Sequence, residues 1–289
     1  MTTAHGGELL TARPYRSGDE AAVLELINHD RVPGQPRCTK GMLTEALAGR
    51  AAVDAGWWTR QPSTDVLVDE TGRPAGVVSY VITRYDDTGL LLWLHGRERP
   101  HVVRALVDRA FDRFGRRSRL AAFTVRSPLV LGLEGLPVRH RAATHHALIR
   151  SGFTGQDLWR YMRRGLTDIS PAAYPVATIT PSPDIPGWRL RIRDHNGTTA
   201  AEAAVGAPID GIAVLWWIAV HPADSSDTLG RTLLDQALAH LAAQGAREVI
   251  LFVDDNAPGG DRDRAVANRL YDTAGFVEVD RLYSYMRTF

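Results

Sequence analysis

The chain has 289 residues, 44% hydrophobic and 23% charged, a balance that suits one large or two ordinary globular domains. Its 34 basic and 33 acidic side chains nearly cancel, which leaves no excess charge for a surface dedicated to nucleic acid or an anionic membrane. The single cysteine, Cys38, excludes an internal disulfide and a cysteine-cluster metal site.

The first residues hold no basic segment followed by an apolar core, and no apolar run reaches membrane-spanning length. A cytoplasmic protein is therefore expected. Abundant Arg and Ala with little Lys fit a bacterial, GC-rich source. Thr11 to Tyr15 reads as a first strand, and Ser17-Gly18-Asp19-Glu20 as a helix start with Ser17 as cap. Val23, Leu24, Leu26 and Ile27 supply that helix with an apolar face. A loop over 32–36 precedes a second helix from Thr39 to Ala48. Strands follow at 65–69, 75–84 and 90–95, then a helix at 102–114, a strand at 120–125, a helix at 141–150 and a strand after Gly152-Phe153.

Five prolines between Thr167 and Pro186 mark an extended linker. Trp188 to Arg193 alternates as a strand, Asp194-His195-Asn196-Gly197 turns, and Thr198 to Val205 returns. Ile212 to Pro222 is an apolar strand running into the polar loop 223–230 and then an amphipathic helix bearing Leu233, Leu234, Ala237, Leu238 and Leu241. Such a loop aims free helix-terminal N–H groups outward, a good holder for pyrophosphate. Another strand, 247–254, leads to a helix carrying Asn268, Leu270 and Tyr271 that stops at Gly275.

This last stretch resembles the GNAT superfamily of acyl-CoA N-acyltransferases. Asn268-Arg269-Leu270-Tyr271-Asp272-Thr273-Ala274-Gly275-Phe276 is similar to the family pattern Asn-x-x-x-Leu-Tyr-x-x-x-Gly-Phe in its essential members. The phosphate loop departs from the family's Arg/Gln-x-x-Gly-x-Gly/Ala. Ser225, Ser226, Asp227, Thr228 and Leu229 precede Gly230, and only that last glycine matches. The order of elements before residue 166 is the family's as well. Ala147 to Phe153 lines up with Leu270 to Phe276, and Leu158 to Arg163 with Leu282 to Arg287. The long-range repeat predicts duplicated domains.

The expected fold class is therefore α/β, a mixed sheet with helices on both faces, in two tandem GNAT-like domains. Residues 1–166 form a degenerate copy, 167–187 the linker, and 188–289 a copy with the acyl-CoA site. The second copy has no room for the family's first strand and two helices, so the first copy is expected to wall the acceptor. In the first copy His145 stands for Asn268 and Leu148 for Tyr271, and its loop 95–101 has no glycine pattern. Arg97 and Arg99 suit a solvated loop better than an anion site. His145 and His146, adjacent on a helix, point to different faces and do not suggest a joint metal site; no metal is expected.

The resemblance implies acetyl-CoA or another acyl-CoA as donor and a small-molecule amine as acceptor, with specialised metabolism or self-resistance as the expected setting and a monomer or homodimer as the expected state. It implies cofactor contacts from Ile218, Ala219, Val220, Ser225, Ser226, Asp227, Thr228, Leu229, Gly230, Arg231, Asn268 and Tyr271. A backbone N–H of Ile218, Ala219 or Val220 serves the oxyanion, and Tyr271 the leaving thiolate. Glu202, Asp254 and Asp255 are candidates for the base. Arg262 or Arg264 in the 259–264 insert is a candidate phosphate contact, and Trp216 and Trp217 point to opposite faces of their strand. The divergent loop keeps a second reading open: a GNAT fold that has lost acyl transfer and acts as a binding module or in other small-molecule chemistry.

Overall fold

The structure, a computed structural model, describes residues 2–5, 8–50, 61–83, 86–167, 176–221, 227–254 and 264–288. The chain divides into two units, Met1–Leu158 with Arg281–Phe289, and Trp159–Asp280. No helix among the described residues is long and apolar enough to cross a membrane.

Unit 1 runs β1 (Thr2–His5), β2 (Glu8–Pro14), α1 (Glu20–His29), α2 (Lys40–Leu47), β3 (Ser63–Val68), β4 (Pro74–Ile82), β5 (Gly89–His95), α3 (Pro100–Phe114), β6 (Arg119–Ala122), β7 (Leu136–Pro137), α4 (Ala142–Arg150) and the start of β8 (Thr154–Gly165). β1 to β5 pair antiparallel in sequence order, and β5 pairs β6 in parallel. The sheet is extended by a strand from far along the chain. In β14 (Val277–Thr288), Tyr285 to Thr288 lie antiparallel to β6, with Tyr285 opposite Ala122, and Leu282 and Tyr283 pair with β7. Both faces of this sheet are covered. Val102, Leu106 and Phe114 of α3 and Leu148 of α4 pack with Leu91 and Leu94 on one side. Val23 and Leu26 of α1 and Leu43 of α2 pack with Val66, Val77 and Leu92 on the other. Each such side chain contributes about 1.5–3 kcal/mol on burial.

Unit 2 comprises Trp159–Gly165 of β8, β9 (Thr178–Pro181), β10 (Gly187–Arg193), β11 (Thr199–Gly206), β12 (Ile212–Val220), α5 (Asp227–Ala243), β13 (Glu248–Val253), α6 (Arg264–Thr273) and the beginning of β14. Its strands run in the order β8, β13, β12, β11, β10, β9. Among these neighbours β12 and β13 are parallel, joined through α5 as a parallel pair requires. Leu233, Leu234, Ala237, Leu238 and Leu241 of α5 are all buried against Leu190, Ala203, Val205, Val249 and Leu251.

Several details differ from the sequence reading. Ser17 does not cap α1. A 3-10 turn, Ser17–Asp19, precedes the helix, and it is the Asp19 carboxylate that accepts from Arg16 N at 2.8 Å and from both terminal nitrogens of Arg13. An acid with two oxygens bridges a turn and a guanidinium together, which a serine hydroxyl cannot. Strand 120–125 stops at Ala122 because Phe123 takes φ +56. The proline-rich segment holds a strand, β9, paired with β10. Unit 2 thus has an edge strand ahead of β10 with a turn, and no helix, between the two. Trp159–Leu166 falls with unit 2 and Arg281–Phe289 with unit 1, whereas local pattern placed each with its sequence neighbours.

The repeat is visible in backbone detail. Gly152 and Gly275 both take positive φ, +86 and +81. Phe153 N donates to Leu148 O at 3.2 Å, and Phe276 N to Tyr271 O at 3.1 Å. This is one left-handed glycine cap used twice.

Candidate functional site

In unit 2 the site begins with a register fault. Ala204 faces Trp217 and Val205 faces Leu215, so Trp216 is an extra residue, a β-bulge. On its other edge β12 pairs with β13 only from Ile212/Glu248 to Leu215/Leu251, although the strands run on to Val220 and Val253. The two strands part just after the bulge. His221 N donates to Ala200 O at 2.8 Å, and strand N–H groups alternate in direction. Ala219 N–H therefore also points to β11, whereas Ile218 and Val220 direct theirs into the gap. Of the three oxyanion candidates the geometry favours these two.

Around the gap, β12, α5 and α6 converge. A Cβ on Gly230 would lie 3.5 Å from Val220 Cγ2 and 3.7 Å from Leu270 Cδ2. That is ordinary contact, so the glycine permits close packing but leaves room for a methyl. Asp227 opens α5; its side chain, Ser225 and Ser226 lie outside the described residues, as do Asp255 and the loop before α6. Thr228 is exposed and its carbonyl accepts from the Thr232 hydroxyl at 2.8 Å. Leu229 packs against the core. Arg231 pairs with Asp235 at 2.9 Å and reaches Thr273 O at 3.4 Å, tying α5 to the end of α6.

Tyr271 is 7% exposed, in the same apolar cluster as Val253, with Ile218 and Val220 packed against it. Its ring meets Phe276 edge-on at 5.8 Å. Burial pushes the phenol up to about 12. Asn268 is half-buried, and its side-chain oxygen accepts from Arg160 of β8. The same guanidinium binds Glu278 at 2.8 Å and Asp272 at 3.2 Å. Arg160 thus holds the signature asparagine in place. Sequence reading missed it, because a strand assigned to the first domain copy gave no sign of serving α6.

Glu202 of β11 lies opposite Ala219, on the edge of β12 away from the gap, and its carboxylate is already engaged, 2.6 Å from Arg191 and 3.6 Å from Arg189. Arg189 also stands 6.0 Å from the ring of Trp217, the exposed member of the tryptophan pair. Glu202 is therefore poorly placed as a free base. Asp254 follows β13 directly and is half-buried.

Unit 1 repeats the bulge and the gap, then fills them. Ser79 faces Trp93 and Tyr80 faces Leu91, so Leu92 is the extra residue. Pairing of β5 with β6 stops at Leu91/Ala122. Leu94 corresponds to Ile218, and its carbonyl accepts from Arg141 Nη2 at 2.8 Å. Arg141 is buried, bound to Glu98 at 2.6 Å, and Glu98 accepts from Thr144 N at 3.0 Å and Thr144 Oγ1 at 2.6 Å. Behind it, Asp30 accepts from Gly96 N at 3.1 Å and lies 3.3 Å from His95 Nδ1. Burial opposes ionisation of Asp30, but His95, Arg141 and His29 overcome it and hold the carboxyl well below its usual range. His145 Nδ1 lies 2.7 Å from the Tyr285 hydroxyl. Among the described residues no cluster of three or more His, Cys, Asp or Glu side chains could hold a metal.

No family model and no curated protein matches this chain. Solved structures do. A GCN5-related N-acetyltransferase from Sphaerobacter thermophilus is 15% identical over 96% of this chain and 95% of its own, with a TM-score of 0.57. A tandem GNAT protein from the clavulanic acid biosynthesis pathway is 17% identical over 96% and 98%, with a TM-score of 0.55. A glucosamine N-acetyltransferase region of a fungal multi-domain GH3 beta-N-acetylglucosaminidase is 13% identical with a TM-score of 0.61, and there this chain spans 38% of the whole. At these identities the likeness is one of fold: the chain has the tandem GNAT architecture.

Proposed function

Taking the tandem GNAT fold as premise, we propose that unit 2 is an acyl-CoA-dependent N-acyltransferase site for a small amine. The observation that carries this reading is the gap between β12 and β13, with Ile218 and Val220 N–H turned into it. An acyl-CoA fits there, with the α5 terminus for its phosphates and an open strand edge for its amide-bearing arm. When bound it supplies an activated acyl group. Ile218 and Val220 then hold the carbonyl oxygen as it gains charge. A thiol titrates near 8.5, to judge by cysteine. Tyr271, held at about 12, therefore donates a hydrogen bond to the departing sulfur and does not surrender its proton outright. Asp254, or a water it holds, and the neighbouring Asp255 are the candidates left to accept the amine proton. Asn268, fixed by Arg160, positions the cofactor arm.

Titration calorimetry with acetyl-CoA on the whole chain tests the site. Binding is expected, weakened at least about ten-fold by Asn268→Ala. Thiol release from acetyl-CoA over a panel of small amines then tests turnover, with Tyr271→Phe, which removes a hydrogen-bond donor to developing charge, expected to lower kcat by about 10²–10³ while affinity stays near wild type. Loss of binding in Arg141→Ala but not in Asn268→Ala would sink the assignment to unit 2.

The engaged Glu202 carboxylate supports a second reading, a unit that binds acyl-CoA without transferring from it. Binding with no thiol release on any amine favours it.

A further inference from the structure

Both sides of the gap in unit 2 carry aromatic side chains on the face turned away from α5. Ala201, Ala203 and Val205 of β11 pack into the α5 cluster, so Glu202, Ala204 and Gly206 face the other way. Trp217 is opposite Ala204 and shares its face. Trp216 joins it there, because a Cβ on Gly206 would lie 3.0 Å from Trp216 Nε1. Simple alternation sets the two tryptophans on opposite faces; the bulge brings them to one. Across the gap, Leu251 and Val253 face α5, which turns Phe252 to the side of the tryptophans. Phe252 stacks on Tyr161 of β8, with ring centroids 5.5 Å apart and planes at 16°. Trp217 is 39% exposed, and it stands among these rings and not alone, as the apolar part of a binding surface does. Trp159, two residues before Tyr161 on the same face, has a buried Nε1 with no hydrogen-bond partner among the described residues. That N–H is a donor left for a polar group on a bound molecule.

We propose that the acceptor of unit 2 is an amine on an aromatic body, held by Trp217 and Phe252. The inference rests on acyl transfer at the gap. With the cofactor's phosphates at the α5 terminus, the amine meets the acyl carbonyl from the opposite face, where Trp217 and Phe252 flank the parted strands just beyond Leu215 and Leu251. A ring placed there gains from ring-on-ring contact beyond the area it buries. The charges on this face disfavour a polyamine. Glu202 is the one acidic residue of β10 and β11. Arg191 and Arg189 both hold it, and Arg189 also holds Asp184 and stands 6.0 Å from the Trp217 ring. A second ammonium would meet guanidinium groups there, not a free carboxylate. Asp254, at the end of β13, serves the reacting nitrogen.

Calorimetry on the whole chain with tyramine, in the absence and in the presence of CoA, tests it. Tyramine is expected to bind in at least one of the two conditions, about ten-fold or more tightly than n-butylamine or spermidine. Trp217→Ala should weaken tyramine by about ten-fold or more, and Trp217→Phe should keep most of the affinity. Acetyl-CoA should bind both variants as it binds the wild type. Trp217 is exposed, so unchanged circular dichroism is expected to show that the variants are folded. The proposal is overturned if the wild type binds tyramine in neither condition, if n-butylamine binds as tightly, or if Trp217→Ala changes nothing. Thiol release from acetyl-CoA separates this from its premise. Tyramine bound through Trp217 but never acetylated removes acyl transfer and leaves an aromatic-amine site. Release with spermidine or n-butylamine but not with tyramine keeps acyl transfer and overturns the aromatic acceptor.

Discussion

At the residue scale, the buried groups of unit 1 dictate how stability follows pH. Burial lowers the His95 pKa against the pull of Asp30. A histidine depressed on folding leaves the unfolded chain binding more protons below about 6.5. Stability should therefore fall as pH drops through that value, and the depressed Asp30 adds a further loss at lower pH. His95→Gln should flatten the slope between pH 7 and 5 in thermal melts; an unchanged slope would deny His95 this part. Asp30→Asn removes the charge facing Arg141 and should cost about 3 kcal/mol, read by urea denaturation. Tyr271 works in the opposite sense. Its raised pKa means the native state keeps its proton above pH 10, so stability declines from there toward 12, and Tyr271→Phe should remove that alkaline decline.

Among the elements, α5 offers the cleanest test of packing against chemistry. Gly230 has space for one methyl, and a helical glycine costs about 0.5–1 kcal/mol relative to alanine. Gly230→Ala should raise the melting temperature slightly, whereas Gly230→Leu should lower it by forcing Val220 and Leu270 apart. The α6 reading was legible in advance, because Asn268, Tyr271 and the Gly275 cap are local and their spacing is helical. The bulge at Trp216 was not, since a bulge is a property of pairing with β11 and leaves no mark in one strand's alternation. Nor was Arg160. Its partners lie 108 to 118 residues away, and charge on a strand reads as solvent-facing until the helix beside it is known.

For the molecule as a whole, element order and duplication were readable because each copy repeats the same periodicities and the same glycine cap. The exchange of strands was not, for a physical reason. Leu158–Arg163 and Leu282–Arg287 carry nearly the same pattern, so alternation fits either strand to either sheet. The structure puts Tyr285 opposite Ala122 in unit 1, and Met162 opposite Leu251 in unit 2. A chain ending at Asp280 should therefore damage unit 1, far away in sequence, first. Hydrogen exchange is expected to show β6 and α4 losing protection while β11 and α5 keep theirs; the reverse order would contradict this division of the chain.

That exchange also sets a clock for biosynthesis. The sheet of unit 1 needs residues 281–288, yet its other strands are made long before. At about 5–20 residues per second, the 122 residues from Trp159 to Asp280 occupy the ribosome for roughly ten seconds. Throughout that interval β6 has an open edge. Its bare amide row is a template for a neighbouring nascent chain, so crowding on the same message, and not the heat of a finished fold, is where this protein is most exposed to misassembly.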